Sequence, residues 1–363
     1  MNKITTISLI SALAVLVAAG VLALIFWLPN KAVSFEKVRP EEKLEYVDFA
    51  DWQKWQREQI ALFHKKEQEE LTLFVVGDIM MSRTVEQKMI QKNDFMYCLE
   101  PTRKLVQSAD VAIGNLESPI IAGEPVPTGS FSFRADPRSA EALKIAGFDI
   151  LSLPNNHIGN FGQEGWAKTF EYLKANELEY VGAGKKLDEM VNPLIKEVKG
   201  IKMAFLAYGY GPVEYRATGK NAGMAIMDME QLIQDINEAK EQGADLIIVS
   251  MHDGVEYVND PSEHQRTFAR AAIDAGADLV LGHHPHVVQK MELYKEKYIF
   301  YSLGNFVFDQ MWSQDTREGL GLMIHMNKEG VTEIEYHPVV IDDYCQPNLA
   351  TGEAAEAIIS RLN

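Results

Sequence analysis

An α/β fold with mixed sheets is the class the sequence predicts, and three observations carry it. From Leu71 onward, short β-branched runs end at polar clusters and are followed by amphipathic helical segments. The runs are almost continuously apolar, as strands covered on both faces must be. Two further stretches each read as a pair of β runs joined by a Lys-Gly or Lys-Glu-Gly turn, the mark of an antiparallel hairpin.

In chain order, "LTLFVVGD" leads to a helix over Ser82–Gln91, and "DVAIGNLES" ends near a Gly/Pro-rich loop around "AGEPVPTGS". "FDILSLPNNH" precedes "QEGWAKTFEYLKANE", and "DLIIVSMHDG" precedes "PSEHQRTFARAAIDAGA". "DLVLGHHPH" then leads to "KYIFYSLGNF". The hairpins are "PLIKEVKGIKMAFLAYGY" and "GLMIHMNKEGVTEIEYHPVVI". No internal repeat and no long low-complexity segment is present.

Residues 1–29 are expected to be a transmembrane anchor. Ile4 to Pro29 carries no charged residue, and about 25 helical residues rise about 37 Å, enough to cross a hydrocarbon core of about 30 Å. Lys3 and the α-amine favour a cytoplasmic N-terminus, and Trp27 suits the far interface. The expected location is therefore the cell membrane, single-pass, with the bulk of the chain extracytoplasmic. "VAAG" offers the small residues of a cleaved signal, which is the competing reading. Residues 30–70 form a charged connector in which Phe49, Trp52, Trp55, Ile60 and Phe63 are spaced as an amphipathic helix. A single body is expected over 71–345, and 346–363 is set apart as a C-terminal tail.

The charge balance restricts the partners. A net charge of −17 excludes a nucleic-acid-binding surface, which is strongly basic. An acidic ligand would need a local cation, from a metal or from clustered basic side chains. Only Cys98 and Cys345 are present. A chain of this size needs no disulfide for stability, so free, partly buried thiols are the expectation, although sequence separation does not decide their pairing.

The positions of the polar residues are the most informative feature. Asp78, Asn115, Glu117, Asn155, Asn156, His157, His252, Asp253, His284 and His286 all fall at the C-terminal ends of expected strands, where open α/β sheets bind ligands. Each cluster is weak alone: "GD" is commonly a turn, "NNH" an Asx turn, and a single His a satisfied core residue. His284 and His286 share a face at a strand end, with Pro285 stiffening the backbone between them. Together these groups make a mixed oxygen and nitrogen donor set suited to one or two divalent Mn, Fe or Zn ions. Calcium and magnesium prefer oxygen alone.

The order Asp, Asn/Glu, Asn-His, His, His-x-His resembles the calcineurin-like metallophosphoesterase plan, and more closely the CapA family of poly-γ-glutamate capsule biosynthesis proteins. The stretches that carry it are "VVGDIMMSR", "AIGNLESPI", "FSFRADP", "AGFDILSLPNNHIGNFGQEG", "VSMHDGVEY", "LVLGHHPHVVQ" and "IFYSLGNFVFDQ", spread over about residues 71 to 310. The resemblance implies a four-layer α/β/β/α metallophosphoesterase-like sandwich behind the membrane helix. It implies Asp78, Glu117, Asn156, His252, His284 and His286 as metal ligands, His157 as the acid facing the leaving group, and His283 as a hydrogen-bonding neighbour of the ligands. Arg134 in "FSFRADP" is placed either to fork onto an anionic substrate group or to form a surface ion pair, and Glu256 and Tyr257 in "GVEY" are candidates to line the pocket. The pattern departs from the two-metal enzymes in that Ile79 and Met80 follow Asp78 where Asp-x-His is usual. Glu117 stands in place of a bridging aspartate, and Asp253 where a Trp commonly follows the lone His.

The function so implied is biosynthesis or export of the poly-γ-glutamate capsule by a metal-dependent hydrolase or transferase, phosphoesterase-like or γ-glutamyl amide-cleaving. The expected partners are poly-γ-glutamate or a related anionic polymer and the subunits of a membrane synthase complex. The alternative is a non-catalytic scaffold or polymer-binding subunit of that complex. Gly-x-Ser-x-Gly is absent, so a serine hydrolase has no support.

Overall fold

The structure, a computed structural model, describes residues 70–190 and 192–363 together with Lys54, Trp55 and Arg57. The expected anchor and most of the connector helix lie outside the described residues. Among the described residues no helix is long and apolar enough to cross a membrane.

The strands are β1 (Leu71–Ile79), β2 (Val111–Leu116), β3 (Ile150–Ser152), β4 (Glu179–Val181) and the two-residue β5 (Ala183–Gly184). They continue with β6 (Leu194–Val198), β7 (Ile201–Gly209), β8 (Gly223–Met224), β9 (Leu246–His252), β10 (Leu279–His283) and β11 (Met291–Tyr294). The last five are β12 (Lys297–Phe300), β13 (Asn305–Val307), β14 (Glu318–Asn327), β15 (Gly330–Asp342) and β16 (Gln346–Leu349). The longer helices are α1 (Arg83–Lys92), α2 (Arg138–Ala146), α3 (Gly162–Ala175), α4 (Met229–Glu241), α5 (Glu263–Ala275) and α6 (Gly352–Ser360).

Two large sheets result, and both are mixed. One runs β16-β15-β14-β1-β2-β3-β4, with β13 parallel to the end of β1. The other runs β11-β12-β10-β9-β7-β6. In the second, parallel central strands are flanked by antiparallel ones on both sides; in the first, parallel β1–β4 run to one edge and antiparallel strands complete the other. The two hairpins read from the sequence are β6–β7 and β14–β15.

Strand periodicity explains why the central runs read as continuously apolar. In β1, Leu71, Leu73 and Val75 enter a core between the two sheets, where they meet Met203, Phe205 and Ile248. The alternate residues Phe74 and Val76 face the other way, onto Val85 and Met89 of α1, Leu143 of α2 and Phe170 of α3. A third core packs Leu206, Val249 and Val280 of the second sheet against Ile236 of α4 and Phe268 of α5. The layers are thus helices, sheet, sheet, helices. Each large side chain so buried contributes about 1.5–3 kcal/mol. The residues after 345 belong to this body: β16 pairs with β15, and Ile358 and Leu362 are buried in the inter-sheet core.

Two glycines allow the sheets to be joined closely at their C-terminal ends. A Cβ on Gly77 would lie 1.9 Å from the Gly304 carbonyl oxygen, and one on Gly282 would lie 2.0 Å from that of Tyr301. Only glycine lets these backbones approach next to Asp78 and His283.

Free thiols were the expectation, and the structure corrects it: Cys98 and Cys345 form a disulfide, with Cα atoms 5.1 Å apart across a sequence separation of 247. The turn after α1 and the β15–β16 turn are adjacent in the fold, a proximity that spacing along the chain does not reveal. Cys345→Ser is expected to destabilise the protein by about 2–5 kcal/mol, because it releases a long closed loop in the unfolded chain. Chemical denaturation with and without reductant checks this, and a variant as stable as the parent would show that the bridge contributes nothing.

Candidate metal centre

The two sheets present their parallel strands in the same direction, and the chemistry collects where those strands end. Asp78 and Asn115 are register partners on β1 and β2, and His252 and His283 are register partners on β9 and β10. Beneath them the sheets touch through a 3.0 Å hydrogen bond between the Ser152 and Ser250 hydroxyls.

Asp78 is fully buried and spans both sheets. Its Oδ1 accepts from Asn115 Nδ2 at 2.8 Å and faces His283 Nδ1 at 3.5 Å. Its Oδ2 accepts from the His284 backbone N–H at 3.3 Å and lies 3.3 Å from His286 Nδ1. Glu117, also fully buried, places Oε1 3.7 Å from His286 Nε2 and 3.9 Å from His157 Nε2. His252 Nε2 contacts Asn156 Oδ1 at 2.9 Å, and its Nδ1 lies 3.3 Å from Asn115 Nδ2. The Asn115 amide therefore faces three acceptors with two hydrogens, the third being Glu117 Oε2 at 3.3 Å.

Two groups of donors converge. Ligand atoms of Asp78, Glu117 and His252 lie within 4.8 Å of one another, as do those of Glu256, His284 and His286. Glu117 Oε1, His283 Nδ1 and His284 Nδ1 are buried without a hydrogen-bond partner, a costly condition that a cation among them would relieve. These residues fit divalent cations.

Burial raises the Glu117 carboxyl well above its ordinary value, with Asp78 and Glu256 adding to the rise against the pull of His286. Burial also pushes Asp78 up, but the imidazoles of His283 and His286 outweigh it and hold the group well below the usual carboxylate range. For His286 burial is overcome by Glu117 and Asp78, which carry the ring up to about 9. Burial and the neighbouring imidazoles hold His252 and His284 below the ordinary value.

Local backbone supports the arrangement. His284 (φ 100°) and His286 (φ 59°) occupy the left-handed region, as do Tyr257 (φ 65°) and Arg83 (φ 52°), and such strain persists only where the surroundings enforce it. The Asx turn read in "NNH" is real: Asn155 Oδ1 accepts from the N–H groups of His157 and Ile158 at 3.1 and 2.8 Å. The same turn presents Asn156 and His157. The His157 ring stacks on Phe133 (centroids 3.8 Å apart), and its Nδ1 lies 3.3 Å from Asn160 Oδ1. Burial lowers its pKa to about 4.

The structure thus brings Asp78, Glu117, Asn156, His157, His252, His284 and His286 together. Glu256, expected to line the pocket, stands among the donors with His284 and His286. Tyr257 lines the mouth, its ring 6.0 Å from that of His286 and 5.8 Å from that of exposed Trp312. Arg134 is not a free clamp. It is buried, and its guanidinium donates to the carbonyls of Glu124 and Ile121 and to Glu86, so it braces a loop. Asp253 pairs with His264 at 2.7 Å.

Two contributors went unassigned in the sequence. Asn305 Oδ1 contacts His286 Nδ1 at 3.0 Å and orients that ring; its place at a strand end in "SLGNF" was the available signal. Arg83 lies over Phe133 (4.5 Å to the ring centroid) and pairs with Asp309, putting a buried cation beside the stack that holds His157. Nothing in "MMSR" separates it from a surface arginine.

The sequence model of the family described as "Bacterial capsule synthesis protein PGA_cap" matches residues 72–310. The chain is 34% identical over 297 residues to "Capsule biosynthesis protein CapA" of Bacillus anthracis, covering 79% of this chain and 71% of that one. It is 36% identical over 280 residues to "PGA biosynthesis protein CapA" of Bacillus subtilis (strain 168), covering 75% and 72%. Among solved structures it is similar to the Thermus thermophilus sulfate thiohydrolase SoxB, with a TM-score of 0.43 and 13% identity over 80% of this chain and 60% of that one.

Because His286, its pKa carried up to about 9, holds a proton at neutral pH that a dication must displace, and burial raises the Glu117 carboxyl in the same sense, metal affinity is expected to rise as pH rises from neutrality to about 9. Each displaced proton contributes up to about tenfold per pH unit. Manganese titration calorimetry in buffers of different ionisation enthalpy reads this directly; a pH-independent affinity without proton release would refute the donor assignment.

Proposed function

The chain belongs to the bacterial capsule synthesis protein family, and from that premise we propose that it serves poly-γ-glutamate capsule biosynthesis as a metal-dependent hydrolase or transferase held outside the cytoplasm. The observation that carries the catalytic part is the convergence of two donor groups around buried, unpartnered ligand atoms. Asp78, Glu117, His252 and the Asn156 amide would hold one Mn, Fe or Zn ion, and Glu256, His284 and His286 a second. When bound, such an ion supplies Lewis acidity and lowers the pKa of its water from about 15.7 towards about 7.

The chain's own residues supply position and proton transfer. His157, donating through Nδ1–H to Asn160 and clamped on Phe133, keeps Nε2 directed into the site. With its pKa lowered to about 4 by burial, it meets the substrate as a neutral ring. It therefore takes up at Nε2 the proton that the attacking water gives up and passes it to the departing oxygen or nitrogen, rather than arriving as a ready acid. Arg83, like Arg134, is already engaged, pairing with Asp309 and donating to the Ser130 carbonyl, so both arginines brace the site rather than clamp the substrate. Tyr257 and Trp312 form an aromatic wall at the mouth. The substrate class this reading favours is the γ-glutamyl polymer itself, cut or transferred at an amide, in a membrane synthase complex.

The Cys98–Cys345 disulfide supports placement outside the cytoplasm, where such bonds persist. It agrees with residues 1–29 acting as a single anchor.

Manganese-stimulated cleavage of a γ-glutamyl amide, with a phosphodiester as comparison, is the deciding assay. His157→Ala is expected to lower turnover by about a hundredfold or more while leaving metal content intact. Retained turnover would remove the role given to His157. A metal-free protein that cleaves neither substrate would leave only the scaffold reading.

A further inference from the structure

In a chain with a net charge of −17, cations without partners are informative. A groove of about 890 Å³ runs along α3. Gln163, Ala167, Phe170 and Lys174 line it from one face of that helix, at the spacing that places side chains one above another. From Gln163 to Lys174 the helix rises about 17 Å. Tyr180 of β4 stacks on Phe170 (centroids 4.9 Å apart) and gives the floor an apolar surface.

Lys185 and Lys220 stand in the opposite walls. Among the described residues the ammonium groups of Lys174, Lys185 and Lys220 make no ion pair or hydrogen bond. Of the two carboxylates in the lining, Glu171 is paired with Lys168 at 2.8 Å, while Glu189 accepts from the Lys185 backbone N–H at 3.1 Å, so three ammoniums stand against one uncompensated carboxylate. The groove has cationic capacity to spare.

Its near end, at Gln163, lies three residues beyond Asn160 in the chain, next to the loop that carries His157. The Gln163 side chain exchanges two 3.0 Å hydrogen bonds with the Ala222 backbone. Asn160, the partner of His157, reaches the same segment through the Tyr215 hydroxyl at 3.2 Å. At its far end the groove shares Lys174 and Tyr180 with a second hollow of about 570 Å³.

We propose that this groove seats a poly-γ-glutamate segment and leads it toward the His157 loop. The polymer's carboxylates pair with Lys174, Lys185 and Lys220, and its methylenes lie on Phe170 and Tyr180. The inference rests on the capsule reading above, and charge complementarity selects the occupant: cations placed from end to end of an extended groove match a repeating anion. Each exposed pair is weak and screened by salt, so occupancy comes from repetition along the polymer.

The test uses the whole protein and a fluorescein-labelled poly-γ-glutamate oligomer, read by anisotropy. The variant Lys174→Gln/Lys185→Gln/Lys220→Gln is expected to bind about tenfold more weakly, with unchanged melting temperature and metal content. A control that replaces Lys92, Lys104 and Lys328 with Gln is expected to bind as the parent does. If the groove variant binds like the parent, or the control loses as much, the groove assignment is overturned and the capsule reading stands. If neither parent nor variant binds the oligomer, the polymer reading falls with it.

Discussion

Asp78 is the group on which the rest of the site depends. A fully buried carboxylate costs far more than any surface charge unless opposite charge and hydrogen bonds surround it. Here they come from both sheets: the Asn115 amide on one side, and the His284 N–H with the His283 and His286 rings on the other. The two sheets are therefore held together at their C-terminal ends by polar chemistry as well as by the apolar core between them.

That constraint explains the unusual local features. The strands must approach closely beside Asp78, which accounts for Gly77 and Gly282. The backbone must turn through left-handed conformations at His284 and His286 to aim the rings inward. Asn115 and Asn305 orient the donors, and Phe133 with Arg83 holds His157. Orienting partners of this kind decide whether a donor set is a binding site or merely a polar cluster.

The net acidity of the chain does not by itself bar an anionic ligand, because charge is distributed unevenly. Beyond about 8 Å at physiological salt the net charge is largely screened, so the unpaired ammoniums of Lys174, Lys185 and Lys220 set the local field of the groove beside α3. A polyanion would meet those groups rather than the average.

Much of this was legible in the sequence, for physical reasons. Side-chain alternation and near-continuous apolar runs determined covered strands, and both hairpins followed from their turns. Polar residues at the ends of "LTLFVVGD", "LIIVSMH" and "LVLGH" marked the site, because parallel strands carry their functional groups to one edge. What those patterns lack is distance between segments remote in the chain. The Cys98–Cys345 bond, Arg134 bound to Glu86, Glu256 beside the histidines, and the last strand and helix closing the inter-sheet core all depend on which surfaces meet. Local sequence encodes periodicity and turn chemistry; only tertiary packing decides which charge finds a partner and which is left free.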